Sequence, residues 1–169
     1  RSSAASDVYK RQIKNNKNRS QPKFKGAEDI YDDFSSSVVF IGNRKNNRIK
    51  GVGSGFVIKD KGKLKIITNW HVINGADKLS VWLKPNKMVD ENYLISKVPS
   101  HNAKIVKINK TKDLAMLEVE NLPIKLKPVV YGKFNRVKPG QTSFAIGHPE
   151  GLLWTFTSGM ISQVRPNYN

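Results

Sequence analysis

An imidazole and a carboxylate stand out in this chain. His71 lies in Thr68-Asn69-Trp70-His71-Val72, and Asp113 opens Asp113-Leu114-Ala115-Met116-Leu117, 42 positions later. A neutral imidazole takes a proton from a serine hydroxyl only when its tautomer and orientation are fixed, and a carboxylate on the other ring nitrogen does that. The chemistry implied is activation of a hydroxyl nucleophile, with His71 as base and Asp113 as orienting acid. No Gly-x-Ser-Gly occurs anywhere in the sequence, so no nucleophile is found within the chain.

Each residue has a plainer reading. An isolated histidine is more often a surface or satisfied core residue, and an aspartate after Lys110-Thr111-Lys112 can simply cap a turn. Asp113 is the more telling of the two. It shares parity with Ala115, Leu117 and Val119, which places a carboxylate at the start of the apolar face of a strand, where an ionised group needs charge pairing or several hydrogen bonds. His71 follows a strand-like run, Leu64 to Asn69, and precedes a turn-like one, Val72 to Ala76. It is therefore expected at a strand end, where a rigid element aims a side chain at a cleft.

The elements that would hold these residues are short. The first strand is expected at Val38-Val39-Phe40-Ile41, with a polar turn over residues 43–50. Further strands are expected at residues 55–59, 64–69, 79–83, 103–108, 114–119, 143–146 and 154–157. Short strands separated by Gly, Asn, Pro or Asp turns point to an all-β sandwich or barrel. In one of them Leu79, Val81 and Leu83 share a face, with Ser80, Trp82 and Lys84 on the other, the alternation of a sheet with one face near solvent. Residues 27–34 read as a short helical turn, and no segment reads as a long helix.

The chain has 169 residues, 38% of them hydrophobic, which suffices for a core. No apolar run reaches the 18 or so residues of a membrane span, and the oligomeric state is not encoded in any visible motif. Residues 1–12 resemble the read-through translation of a sequencing-library adapter and are expected to be non-native. Residues 13–34 are expected to form a basic linker and a helical turn, residues 35–122 a first barrel, and residues 123–169 a connector with the first strands of a second, truncated barrel. Cysteine is absent, which excludes disulfides, thiol nucleophiles and cysteine-ligated zinc.

The formal charge of +17 suggests, as an alternative function, a non-catalytic module binding nucleic acid or anionic surfaces. The charges are spread over strand faces without a recognition motif, so nucleic acid is not the expected partner. Gly51-Val52-Gly53-Ser54-Gly55 lacks the Gly-Lys-Ser/Thr and helix of a phosphate loop. His101 and His148 form no close ligand pair with His71, so neither metal nor cofactor is expected, and His148 reads as a turn residue. Ser54 and Ser158 are expected to be structural, because neither sits in a nucleophile elbow.

Five runs in order carry a resemblance. They are Gly53-Ser54-Gly55-Phe56-Val57-Ile58, Ile67-Thr68-Asn69-Trp70-His71-Val72-Ile73, Lys112-Asp113-Leu114-Ala115-Met116-Leu117, Phe144-Ala145-Ile146-Gly147-His148-Pro149 and Thr157-Ser158-Gly159-Met160-Ile161-Ser162. Together they resemble the HtrA/DegP-like branch of trypsin-like serine proteases, over about residues 38–162. The resemblance implies a chymotrypsin-like double antiparallel β-barrel, a serine endopeptidase acting on polypeptides, His71 as general base and Asp113 as orienting acid. The family leans toward the cell envelope or export, with cytosolic members known, so the resemblance leaves the location open. The family's Gly-Asn-Ser-Gly-Gly does not follow Gly159, so the chain is expected to be an inactive fragment of a longer enzyme.

Overall fold

The computed structural model describes residues 26–123 and 125–165. The adapter-like residues 1–12 and residues 13–25 of the expected linker lie outside them. Eight strands dominate: β1 (Val38–Lys45), β2 (Arg48–Asp60), β3 (Lys63–Thr68), β4 (Lys78–Trp82), β5 (His101–Asn109), β6 (Leu114–Val119), β7 (Thr142–Gly147) and β8 (Thr155–Met160). Three short helices interrupt them: α1 (Ala27–Phe34), α2 (Trp70–Ile73) and α3 (Glu91–Lys97).

The first six strands close into an antiparallel barrel in the order β1-β2-β3-β6-β5-β4, with β4 pairing back onto β1. Strands β7 and β8 form a separate two-stranded antiparallel sheet. The fold is all-β, as its turn-bounded short strands require.

Period-2 patterning fills the barrel. Val39, Ile41, Val57, Ile66, Val81 and Leu117 are fully buried inside it, joined by Ile73 from α2. A second apolar cluster lies outside the barrel wall, where Val38, Phe40 and Trp82 meet Leu94 of α3 and Trp154 ahead of β8. Each indole N–H in this cluster has an acceptor, Trp82 donating to the Val98 carbonyl and Trp154 to that of Val38. Burying side chains of this size stabilises the fold by roughly 1.5–3 kcal/mol each.

That second cluster corrects the expected alternation in β4. Ser80 and Trp82 do not face solvent; both are buried, as are Leu79 and Val81. The strand is covered on both sides because Trp82 packs in one cluster with Leu94 of α3 and Trp154, and the Ser80 hydroxyl accepts from Arg44. The polar turn is also shorter than expected. Strand β1 runs on to Lys45, β2 starts at Arg48, and only Asn46 and Asn47 turn, both at positive φ (51° and 60°), which suits a two-residue hairpin. Helix α3 was not anticipated; Asp90 caps it by accepting from the Tyr93 N–H at 2.8 Å.

Candidate active site

Strand β3 delivers the chain to one end of the barrel. There Thr68 pairs with Gly55, and its hydroxyl donates to the Ser54 carbonyl at 2.8 Å. Asn69 is extended (φ −78°, ψ 145°), and the single turn of α2 follows, carrying His71. Two contacts seat that turn. Val72 lies against Gly53, where a Cβ would come within 2.6 Å of Val72 Cγ2, so only glycine fits. Asn43, buried on β1, donates to the carbonyls of Val72 and Asn74 at 3.1 and 3.0 Å and satisfies the end of the turn.

Asp113 comes from beside the neighbouring strand, in the turn between β5 and β6. The Lys112 N–H donates to Asn109 Oδ1 and the Asp113 N–H to the Lys110 carbonyl, closing the turn. Asp113 has φ +49°, a conformation that aspartate tolerates better than most residues. Ala115, Leu117 and Val119 point into the core as the parity implies. Asp113 stands one residue before the strand, and its carboxylate meets His71 at the barrel end.

The contact is two-pronged. Asp113 Oδ1 accepts from the His71 backbone N–H at 2.8 Å, and Asp113 Oδ2 lies 2.6 Å from His71 Nδ1. Asn69 Nδ2 adds a third donor to Oδ2 at 3.1 Å and also bonds the Asp113 carbonyl at 3.0 Å. Together these donors, the His71 backbone N–H foremost, hold the Asp113 carboxyl below its ordinary value of 3.8 against the opposing effect of burial. An ionised Asp113 favours the tautomer with the proton on Nδ1, so a neutral His71 presents a lone pair at Nε2. The side chain of His71 is exposed, and Nε2 has no partner among the described residues.

The other candidates fall elsewhere. The Ser54 hydroxyl accepts from the His148 N–H at 2.8 Å, tying the barrel to the second sheet. Ser158 lies on β8 opposite Phe144, and His101 opens β5 opposite Val81. His148 does sit at a turn, but it is buried, with its ring edge-on to Phe40 and Trp154. Among the described residues no group of three or more His, Asp or Glu side chains is placed to hold a metal. No described helix is long and apolar enough to cross a membrane. Sequence reasoning missed Asn69, which reads as the end of a strand; its partner is 44 positions away.

Residues 53–169 match the family model of the trypsin-like peptidase domain. The chain belongs to that family. Its relatives place this trypsin-like peptidase domain in the HtrA/DegP-like branch. Protease Do-like 1 of Arabidopsis thaliana chloroplasts is 39% identical over 116 residues, which are 69% of this chain and 23% of that protein. The periplasmic pH-dependent serine endoprotease DegQ of Escherichia coli is 33% identical over 113 residues, 67% of this chain and 22% of that protein. The crystal structure of a serine endoprotease from Yersinia pestis superimposes with a TM-score of 0.64 at 30% identity, covering 83% of this chain and 45% of that one. The trypsin-like peptidase domain described here thus has a chymotrypsin-like architecture, with a closed first barrel and two strands of a second. It spans about a quarter of the length of these two curated relatives.

Proposed function

We propose that this chain supplies the base and the orienting acid of a serine endopeptidase that cleaves polypeptides, and that the serine nucleophile lies in sequence outside it. The observation that carries the reading is the grip of Asp113 on both the backbone N–H and the ring Nδ1 of His71. A carboxylate that fixes position and tautomer at once leaves a single nitrogen, Nε2, for proton transfer. The names of the relatives support the same activity.

In the full-length protein the serine oxygen attacks the peptide carbonyl while His71 Nε2 takes its proton. The C–N bond then breaks, and His71 returns that proton to the departing amine. Water attacks the acyl-enzyme by the same route, which releases the acid product and restores the serine. Asp113 stays ionised, holding the ring and stabilising the imidazolium.

The test uses the full-length protein and a quenched peptide. Asp113→Asn keeps a side chain of the same size but loses the charge, and should lower kcat by about 10⁴-fold; His71→Ala should lower it at least about 10³-fold. Circular dichroism checks that both variants fold. Hydrolysis near the parent rate in either folded variant would remove the assigned role.

A further inference from the structure

Beside His71 the barrel end holds a cleft of about 460 Å³, lined by Asn43, Lys45, Lys50, Val52, His71 and Asn74 among others. It lies between the β1–β2 hairpin and the chain that leaves α2. Its position follows from contacts already described, since Asn43 bonds the Val72 and Asn74 carbonyls and so sets the floor of the cleft against the His71 turn.

The charge of the cleft is one-sided. Lys50 has no partner on β1: Asn43 pairs with Gly51 and Arg44 with Ile49, leaving Lys50 as the extra residue of a bulge. Bulges re-aim side chains, and Lys50 lines the same cleft as His71. Lys45, at the end of β1, lines the same space. No acidic side chain lines the cleft, and neither lysine has an ion pair among the described residues. The neighbouring charged groups bond to neutral partners outside the lining and keep their charge. Asp77 accepts from the Asn46 N–H at 2.9 Å, and Arg44 donates to Ser80 and lies over the Trp82 ring.

We propose that this cleft is a substrate subsite on the leaving-group side of the scissile bond, and that Lys45 and Lys50 select acidic side chains there. The inference rests on the peptidase reading of His71 and Asp113. The departing amine takes its proton from the imidazole, so the residues that follow the scissile bond lie alongside His71. A carboxylate placed there meets two ammonium groups, with no acid in the lining itself; Asp77 and Asp113 lie beyond it. Both lysines are exposed, so the effect is moderate and sensitive to salt.

The experiment uses the full-length protein and three quenched peptides that differ only in the second and third residues after the scissile bond, as Glu-Glu, Ala-Ala or Lys-Lys. At low salt kcat/KM for the Glu-Glu peptide should exceed that for Ala-Ala by about three- to tenfold, with Lys-Lys the poorest, and 0.5 M NaCl should compress the differences. The double variant Lys45→Glu/Lys50→Glu should reverse the Glu-Glu to Lys-Lys order. Lys59→Glu, at the far end of β2, should leave that order in place and separates the cleft from the overall charge. Equal cleavage of the three peptides, or an order unchanged in the double variant, would overturn the subsite while leaving the peptidase reading intact. Failure of the unaltered protein to cleave even Ala-Ala would overturn both.

Discussion

Acid should unfold this domain earlier than its carboxylates alone would, and His148 is the reason. Its ring is buried between Phe40 and Trp154, and Nδ1 accepts from the Trp154 N–H at 2.9 Å, which leaves the proton of the neutral ring on Nε2. Nε2 is buried without a partner of hydrogen-bond geometry, although a weak interaction with the Val39 carbonyl partly favours the charged ring. Desolvation dominates and lowers the His148 pKa from 6.5 to about 4. In unfolded chain the ring charges as pH falls below 6.5; in the folded domain it resists until about pH 4. The unfolded state therefore holds more protons across that window. The stability this site contributes is complete above pH 6.5 and is lost as pH falls to about 4. At about 1.4 kcal/mol for each pKa unit, the loss is about 3 kcal/mol, a large part of a small domain's stability. Urea unfolding followed by tryptophan fluorescence at pH 7.5, 5.5 and 4.5 measures it. His148→Gln cannot charge, so it should begin less stable at pH 7.5 and lose about 3 kcal/mol less than the parent on the way to pH 4.5. Asp113 and Glu118, whose carboxyls are also held low, destabilise parent and variant alike in acid and cancel in the comparison. Parallel pH profiles for the two proteins would refute the reasoning.

Three further outcomes concern the packing under His71. Gly55→Ala would bring a Cβ to 2.8 Å from both Ile41 Cδ1 and Ile66 Cγ2 and to 3.0 Å from the Ile67 carbonyl oxygen, so it should cost roughly 1–3 kcal/mol in urea unfolding. Gly51→Ala, with open space at its Cβ, should stay within about 0.5 kcal/mol of the parent in the same assay. Asn43→Ala strips the Val72 and Asn74 carbonyls of their donor, at about 1–3 kcal/mol, and loosens the turn that carries His71. In the full-length protein it should therefore lower kcat as well as the unfolding midpoint, and an unchanged kcat would show that the turn holds without it.

Much of the barrel was legible because its inner wall depends on nearest-neighbour pattern. Val39 and Ile41, Ile66, Leu79 and Val81, and Leu117 fall on alternate positions of short runs bounded by turn residues. The His71–Asp113 contact was legible although its premise did not hold: Asp113 sits in the turn before β6, half-exposed, and not on the strand's apolar face. What stayed hidden depends on segments far apart in sequence. Trp82 read as solvent-facing because Leu94 and Trp154, which share its cluster, belong to other elements, and Ser80 because its hydroxyl's partner, Arg44, is on the neighbouring strand. His148 sits at a turn as expected, but its burial stayed hidden because the Ser54 hydroxyl that holds its N–H is 94 positions away. Lys50 fell within the expected polar turn over residues 43–50, since a bulge appears only once the register with β1 is known.

The run Gly53-Ser54-Gly55 shows how position settles what a motif means. A serine between glycines invites a nucleophilic reading, yet here every part of the run is used for assembly. Gly53 leaves room for Val72 and so seats the turn of His71; Gly55 lets β2 close against Ile41 and Ile66. Between them the Ser54 carbonyl accepts from Thr68 at the end of β3, and its hydroxyl accepts from His148 at the entry to the second sheet's turn. Three consecutive residues thus join the His71 turn, the barrel core and the second sheet. A serine occupied as such a strut is poorly placed to become a nucleophile, because attack would require its oxygen to abandon the His148 N–H and leave that buried amide without a partner. On the proposed function, the hydroxyl for His71 to activate is therefore sought in another segment, one that the Asp113-oriented ring can reach through Nε2.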